Sequence, residues 1–262
     1  MARHICRMPW APVLLGLTLV SLLSACQTTS SDPAETATSP DAPSAITEEA
    51  EIPQTVPDTE ADAIVSAVES LPVWVQPLAT QEEQPAIPGT SMTYGDAIRT
   101  EGEGLVQVDL ANGQAFRIGG DARLVLQPDN RLNFETGEML TWVEPGRQVP
   151  TEIVTPAGIA GLRGTTLFIA IPPTGDGEVL FLSWEGTIRL QVAEGAEEIV
   201  LQSGEALQVR PGDRDVAALR SRVRRLGRQE IRQRRRKSRL LNRFQQPLPT
   251  EAQIEATLES AP

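Results

Sequence analysis

An all-β fold of about ten short strands, arranged as a sandwich or roll, is what the sequence predicts for residues 93–212. A disordered acidic tether is expected before it and a basic C-terminal helix after it. Three observations carry this expectation. Apolar residues recur at period two in short runs. Gly, Pro, Asp or Asn stands in nearly every gap between those runs. No stretch of the region carries a 3.6-residue period long enough for a helix.

At the N-terminus, Arg3 and Arg7 make a positive segment ahead of the uncharged apolar run Val13–Leu23. That run is short for a membrane span and has the length of a signal core. It ends in Leu23-Ser24-Ala25-Cys26, small residues before a cysteine, which resembles a bacterial lipobox. Residues 1–25 therefore read as a lipoprotein signal peptide, and Cys26 as the lipidated first residue of the mature chain. Two or more acyl chains anchor stably where one does not. Gln27, rather than Asp, follows the cysteine, which favours the outer membrane facing the periplasm.

The expected mature chain then has no histidine and no free thiol, because His4 and Cys6 lie in the signal and Cys26 carries lipid. Ser-His-Asp and Cys-His catalysis drop out, as do histidine-based metal sites. Carboxylate chemistry or an all-oxygen calcium site is what remains, and no cofactor is expected.

Residues 26–92 are rich in Pro, Ser, Thr, Ala and Glu. From 27 to 90 they hold twelve acidic residues and neither Lys nor Arg. Such a composition buries too little apolar surface to offset chain entropy, so a disordered tether is expected. Ala61–Leu71 is a local exception: Ile64, Val65, Val68 and Leu71 are spaced for a short amphipathic helix.

The strand signals follow. Val106, Val108 and Leu110 alternate with Gln107 and Asp109 in Leu105–Leu110. Asn112-Gly113 then precedes a second alternating run, Gln114–Ile118, a strong hairpin signal. Further runs are Arg123–Gln127, Arg131–Glu135, Met139–Val143, Thr166–Ile171, Glu178–Trp184, Thr187–Val192, Glu198–Leu201 and Ala206–Arg210. Leu167–Ile169 and Val179–Leu182 are apolar on both faces and should be central strands buried on both sides.

From Arg214 to Arg243, thirteen of fifteen charged residues are basic and twelve are arginine. Val216, Leu219, Val223 and Leu226 are spaced for a helix, which Gly227 weakens. Residues 213–244 are thus expected as a basic helical segment. Thr250 and Gln253 resemble a capping box that opens a short acidic helix to about Leu258, within the tail 245–262. The net charge of −12 hides an acidic leader and a basic tail.

The most telling stretch is IVTPAGIAGLRGTTLFIAI, residues 153–171, with glycines at 158, 161 and 164. A phosphate-cradling loop would need a helix after the glycines. Thr165, Thr166, Phe168 and Ile169 favour a strand instead, and no Lys follows Gly164. Pro156 and Gly158 read as a strand break. Arg163 reads as a guanidinium forked onto turn carbonyls or a carboxylate, with a ligand contact as the alternative.

Thr155-Pro156-Ala157 followed by Leu162-Arg163-Gly164-Thr165 resembles the FecR domain signature. Gly95–Thr100, Leu110–Gly113, Glu185–Ile188 and Ser203–Leu207 resemble that domain's flanking segments in order. The resemblance covers about residues 93–210. It implies an all-β envelope domain that senses or binds partners, with no known active site. It marks Thr155, Pro156, Arg163, Gly164 and Thr165 as the structural motif. The best-known FecR-type regulators carry a cytoplasmic anti-sigma segment and a transmembrane helix ahead of this domain. This chain reads without either, as a stand-alone lipoprotein form.

Together these observations predict a cell-envelope lipoprotein with a non-catalytic domain that binds an envelope protein or glycan. The alternatives are an extracytoplasmic regulator acting through a partner membrane protein, and a carboxylate-dependent glycan hydrolase. For the hydrolase, Asp109, Asp121, Glu135, Glu138 and Glu185 are the candidate acids, and a pair of them would have to meet. Arg232, Arg234, Arg235, Arg236, Lys237 and Arg239 are candidate contacts to an anionic surface. Nucleic acid is not expected, since the basic stretch lacks interleaved aromatics for base stacking.

Overall fold

In a computed structural model, residues 61–174 and 177–262 are described. The expected signal peptide, Cys26 and the tether up to residue 60 lie outside them. The all-β expectation holds, with sixteen strands among the described residues. The first eight are β1 (Ala63–Ser70), β2 (Val73–Gln76), β3 (Gln84–Pro85), β4 (Ser91–Met92), β5 (Ala97–Thr100), β6 (Leu105–Leu110), β7 (Gln114–Gln127) and β8 (Arg131–Val143). After them come β9 (Thr151–Thr155), β10 (Gly158–Leu162), β11 (Thr166–Ile171), β12 (Val179–Glu185), β13 (Ile188–Gln191), β14 (Ile199–Leu201), β15 (Glu205–Val209) and β16 (Arg224–Arg225). Four helices close the chain: α1 (Val216–Arg222), α2 (Arg228–Lys237), α3 (Arg239–Asn242) and α4 (Glu251–Ser260).

The strands form one continuous sheet folded over itself into two layers. The long strands β7 and β8 make the fold, because each belongs to both layers. The first half of β7 pairs with β6 and the second half of β8 with β11, which extends through β12 to β15. The second half of β7 pairs with β5, and the start of β8 runs parallel to β9, which leads through β10 and β13 to β14. Between the layers lies the main core, with Phe116, Ile118, Ile169 and Phe181 from one side and Leu124, Phe134, Ile153 and Leu190 from the other. Helix α1 inserts Leu219 into this core beside β14 and β15. Strands that change layer at a bend make the corners of such sandwiches.

The bend falls where β7 and β8 lose register between Gly119 and Leu124. Across it, Gly137 has φ of +93°, and a Cβ there would sit 2.4 Å from the Ala122 Cα. Neither the dihedral nor the backbone contact admits a side chain. Gly137→Val should therefore destabilise by about 3 kcal/mol or more, read as a lower denaturant midpoint. Gly146 has φ of +87°, and a methyl group there would meet no atom within 4 Å. Gly146→Ala carries only the dihedral strain and should cost about 1–2 kcal/mol.

Several expectations are corrected. The folded part starts by Ala63, not residue 93, and Ala61–Leu71 is largely strand rather than helix. Strand β1 is held by β6 and β4, which bury Ala63 and Val65. The separate runs expected at 114–127 and 131–143 are single strands bent at the layer change. The glycine-rich stretch is a hairpin, β9–β10, around Pro156-Ala157. The basic segment is not one helix: α1 stops at Arg222, Arg224–Arg225 pairs with the edge of β15, and α2 and α3 follow. Thr250 stands at the N-cap of α4 without capping it, and its hydroxyl meets that of Thr166 at 2.7 Å.

Candidate functional site

The layer holding β6, the start of β7, the end of β8, β11, β12 and β15 has an outer face that water does not reach everywhere. Leu140, Trp142, Leu182, Trp184 and Ala206 on that face pack under Leu226, Ile231, Leu240, Phe244, Leu248, Ile254 and Leu258. The C-terminal segment is thus a belt across the sheet. This explains why Val179–Leu182 is apolar on both faces.

Arg117 of β7 locks the belt in place. It is 1% exposed. Its Nε donates to Gln107 Oε1 at 2.9 Å, and its two terminal nitrogens donate to the carbonyls of Leu240 and Gln246 at 2.9 and 2.6 Å. The guanidinium also stacks on Phe244 and Trp142, 4.2 and 5.2 Å from their ring centres. Burial lowers its pKa to about 10, against the fields of Glu69, Asp109 and Glu251. It remains charged at neutral pH.

Most of the arginines in the belt are also fasteners. Arg224 holds Glu230 with two bonds of 2.8 Å, fixing α2 to the sheet edge. Hydrogen bonding by Arg224 brings the Glu230 carboxyl down to about 2. This latch is in place above the ordinary glutamate value and is released as the pH falls from there through about 2. Arg235 ties α2 to α4 through Glu251 (2.7 Å) and Glu255 (3.2 Å). Arg239 reaches Glu103 on the loop before β6, and Arg234 pairs with Glu230. Of the six expected surface contacts, Arg232, Arg236 and Lys237 are exposed on α2 and take part in no ion pair among the described residues.

The belt leaves one strip of the sheet uncovered, and this is the candidate site. Ala170 lies opposite both Glu138 and Leu180, and Leu180 lies opposite Gln208, so these four form a row across β8, β11, β12 and β15. Three strand spacings make the row roughly 14 Å long. It floors a groove of about 840 Å³, walled on one side by Gln233, Arg234 and Lys237 of α2. Ala170, Leu180 and Phe168 of the adjoining row are only half-buried. The indole N–H of Trp184, a buried residue that also lines the groove, has no acceptor among the described residues.

The carboxylates of the groove are unequal. Glu178 is bound by Arg210 and Arg222, and Glu230 by Arg224 and Arg234. Glu138 forms no ion pair among the described residues. Its carboxyl reaches water, yet desolvation by the groove walls raises its pKa, opposed by the field of Arg239. The other candidate acids are dispersed into separate local roles. Asp109 accepts from Gln107, Asp121 from the Gly102 amide, Glu135 from Arg123 and Asn133, and Glu185 from Thr166. Among the described residues no group of three or more Asp, Glu, His or Cys side chains could hold a metal.

The motif residues build the hairpin and its exit. The Thr155 hydroxyl donates to the Gly158 carbonyl at 2.7 Å and accepts from the Ala157 amide at 3.3 Å, closing the turn around Pro156. At Gly158 a Cβ would lie 2.6 Å from the Gln191 carbonyl oxygen, so β13 approaches only because glycine is there. Thr165 donates to the Thr187 carbonyl at 3.0 Å. Arg163 is exposed and bonds the Gln148 side-chain oxygen rather than a carboxylate.

Residues 96–196 match the family model described as FecR protein. Two crystal structures of a protein from Parabacteroides distasonis ATCC 8503, provisionally described as an anti-sigma factor, are similar to the chain at 15% identity with a TM-score of 0.38. The similarity covers 45% of this chain and 56% or 55% of that one, so the chain spans little more than half of its length. No curated protein matches the chain significantly.

Proposed function

Starting from the FecR domain that this chain carries over residues 96–196, we propose that it is a non-catalytic recognition module of the cell envelope. Cys26 anchors it by lipid to the outer membrane, on the periplasmic side. The groove beside α2 receives an extended segment of an envelope protein or glycan. The exposed face of Arg232, Arg236 and Lys237 meets an anionic surface.

The uncovered row Glu138–Ala170–Leu180–Gln208 is the observation that supports the reading most. A half-buried apolar floor with a carboxylate at one end and an amide at the other suits binding along its length. Glycoside hydrolysis needs two working carboxyls. The arginines that bind Glu178 and Glu230 leave Glu138 as the single unpaired acid of the groove among the described residues. Among the described residues no helix is long and apolar enough to cross a membrane.

A second reading, an extracytoplasmic regulator acting through a membrane protein, draws on the regulatory character of the FecR family. One experiment tests both. A photo-crosslinking amino acid is placed at Gln233, on the groove wall, and at Arg189, on the exposed opposite layer, in the full chain in cells. Gln233 should yield a discrete adduct that Arg189 does not. An integral membrane signalling protein in that adduct would select the regulator. Identical products from both positions, or none from Gln233, would reject the groove as the site.

A further inference from the structure

A second cavity, sharing no lining residue with the groove, is built around the Arg163-Gly164-Thr165 motif. It has a volume of about 250 Å³ and is lined by Arg147, Arg163, Glu185, Thr250 and Gln253 among others. That is the liquid volume of roughly eight waters at ~30 Å³ each, room for a molecule the size of a small amino acid.

Its charges are arranged in an unusual way. Glu185, at the end of β12, is 9% exposed. The Thr166 hydroxyl donates to its Oε1 at 2.9 Å. Thr166 has one hydroxyl proton and commits it there, so in the 2.7 Å contact with Thr250 the donor is Thr250. The relay runs Thr250 to Thr166 to Glu185 and ends on the carboxylate. No arginine lies within ion-pair distance of Glu185 among the described residues, so a buried carboxyl group lines the cavity without a counter-charge. Burial raises its pKa, and the Thr166 hydroxyl and backbone N–H oppose that rise.

Two arginines, Arg147 and Arg163, and one further carboxylate, Glu144, line the same cavity. Arg163 is bound by the neutral Gln148 side chain and by no carboxylate among the described residues, whereas Arg147 is paired with Glu144. Helix α4, ten residues long, begins beside Thr250 with no side-chain cap. Its first-turn amides add a partial positive charge at the same cavity.

We propose that this cavity binds a small amino-acid zwitterion, its ammonium group on Glu185 and its carboxylate on Arg163 and the start of α4. Opposite charges lining one small cavity are what select a zwitterion over a simple amine or a simple acid. Both ends would then gain charge-assisted hydrogen bonds that the protein alone leaves unmade.

Thermal unfolding of the full chain at constant ionic strength tests this with glycine, ethylamine and acetate as probes. Glycine should raise the midpoint by about 5–10 °C at a hundredfold excess over its Kd. Ethylamine and acetate should each bind at least tenfold more weakly, a difference of about 1.4 kcal/mol. Glu185→Gln keeps an acceptor for Thr166 and should abolish the glycine response. Arg163→Gln changes an exposed side chain and should reduce glycine to the level of ethylamine. No response to glycine, a response that survives Glu185→Gln, or equal responses to glycine and ethylamine would each overturn the proposal. Amide NMR shifts on the unmutated chain give a second measurement. Glycine should move Gly164 and Gln253, and shifts confined to other regions would count against the site.

Discussion

Deleting residues 227–262 should leave a chain that no longer folds into a soluble body, although every strand through β16 is retained. The belt's Ile231, Leu240 and Ile254 are fully buried, and Phe244, Leu248 and Leu258 are at most 8% exposed. Each such side chain contributes about 1.5–3 kcal/mol by leaving water. Their loss also uncovers Leu140, Trp142, Leu182 and Trp184 together on one sheet face. A contiguous apolar patch of that kind on a monomer drives association. The expected result is aggregation, or a soluble remnant that binds a hydrophobic dye and emits red-shifted tryptophan fluorescence. Its midpoint would be lower by roughly 10 °C or more if the deletion costs about 5 kcal/mol. A monomeric remnant with the full-length midpoint would show that the belt is an appendage and that the sheet needs no cover.

That dependence on the belt was only partly legible in the sequence. Leu105–Leu110 was readable to the residue because its alternation is regular, and Thr166–Ile171 because a run rich in β-favouring residues stands between Gly164 and Pro172. The double-sided apolarity of Val179–Leu182 announced a cover over the outer face, but not its source. The cover comes from a stretch dominated by arginine, where Ile231, Leu240, Phe244 and Leu248 fall on separate short helices and loops and share no single period. The start of the fold was hidden for another reason. β1 carries register shifts between Val65 and Ala67 and between Val68 and Ser70. These irregularities displace its apolar residues from period two toward the spacing of a helix. Its neighbourhood is also acidic and proline-rich, so composition argued against any structure. Strands β9 and β10 were missed because five-residue runs around Pro156 and Gly161 look like punctuation; their pairing with each other and with β13 supplies what local propensity lacks.

For the groove, Glu138 was among the candidate acids, but its neighbours on the floor were not. Ala170, Leu180 and Gln208 are brought beside it by strand register alone, and a register cannot be read from one strand at a time. The motif residues stand together in the sequence, whereas Glu185 and Thr250, which meet at Thr166 beside them, come from β12 and the distant C-terminal helix.

Arg117→Met should destabilise the chain by about 3–4 kcal/mol, a loss of roughly 6–16 °C in midpoint. In sequence Arg117 is the polar residue of an alternating strand and would be assigned to water. In the fold the belt covers it, and its acceptors lie 123 and 129 residues away. Methionine fills similar space but donates nothing. It leaves the carbonyls of Leu240 and Gln246 and the side-chain oxygen of Gln107 without their donor, the first and last of them buried, and removes both aromatic contacts. Arg117→Lys retains the charge yet cannot extend three donors in a fixed fork, so it should recover less than half of the loss. The site of the damage is specific. Hydrogen exchange should rise first in α3 and the segment to Gln246, while β9, β10 and β13 in the other layer keep their protection until global unfolding. A Met variant within 1 kcal/mol of the parent, or exchange that rises evenly through both layers, would mean that the buried guanidinium is tolerated by the fold and does not fasten the belt to it.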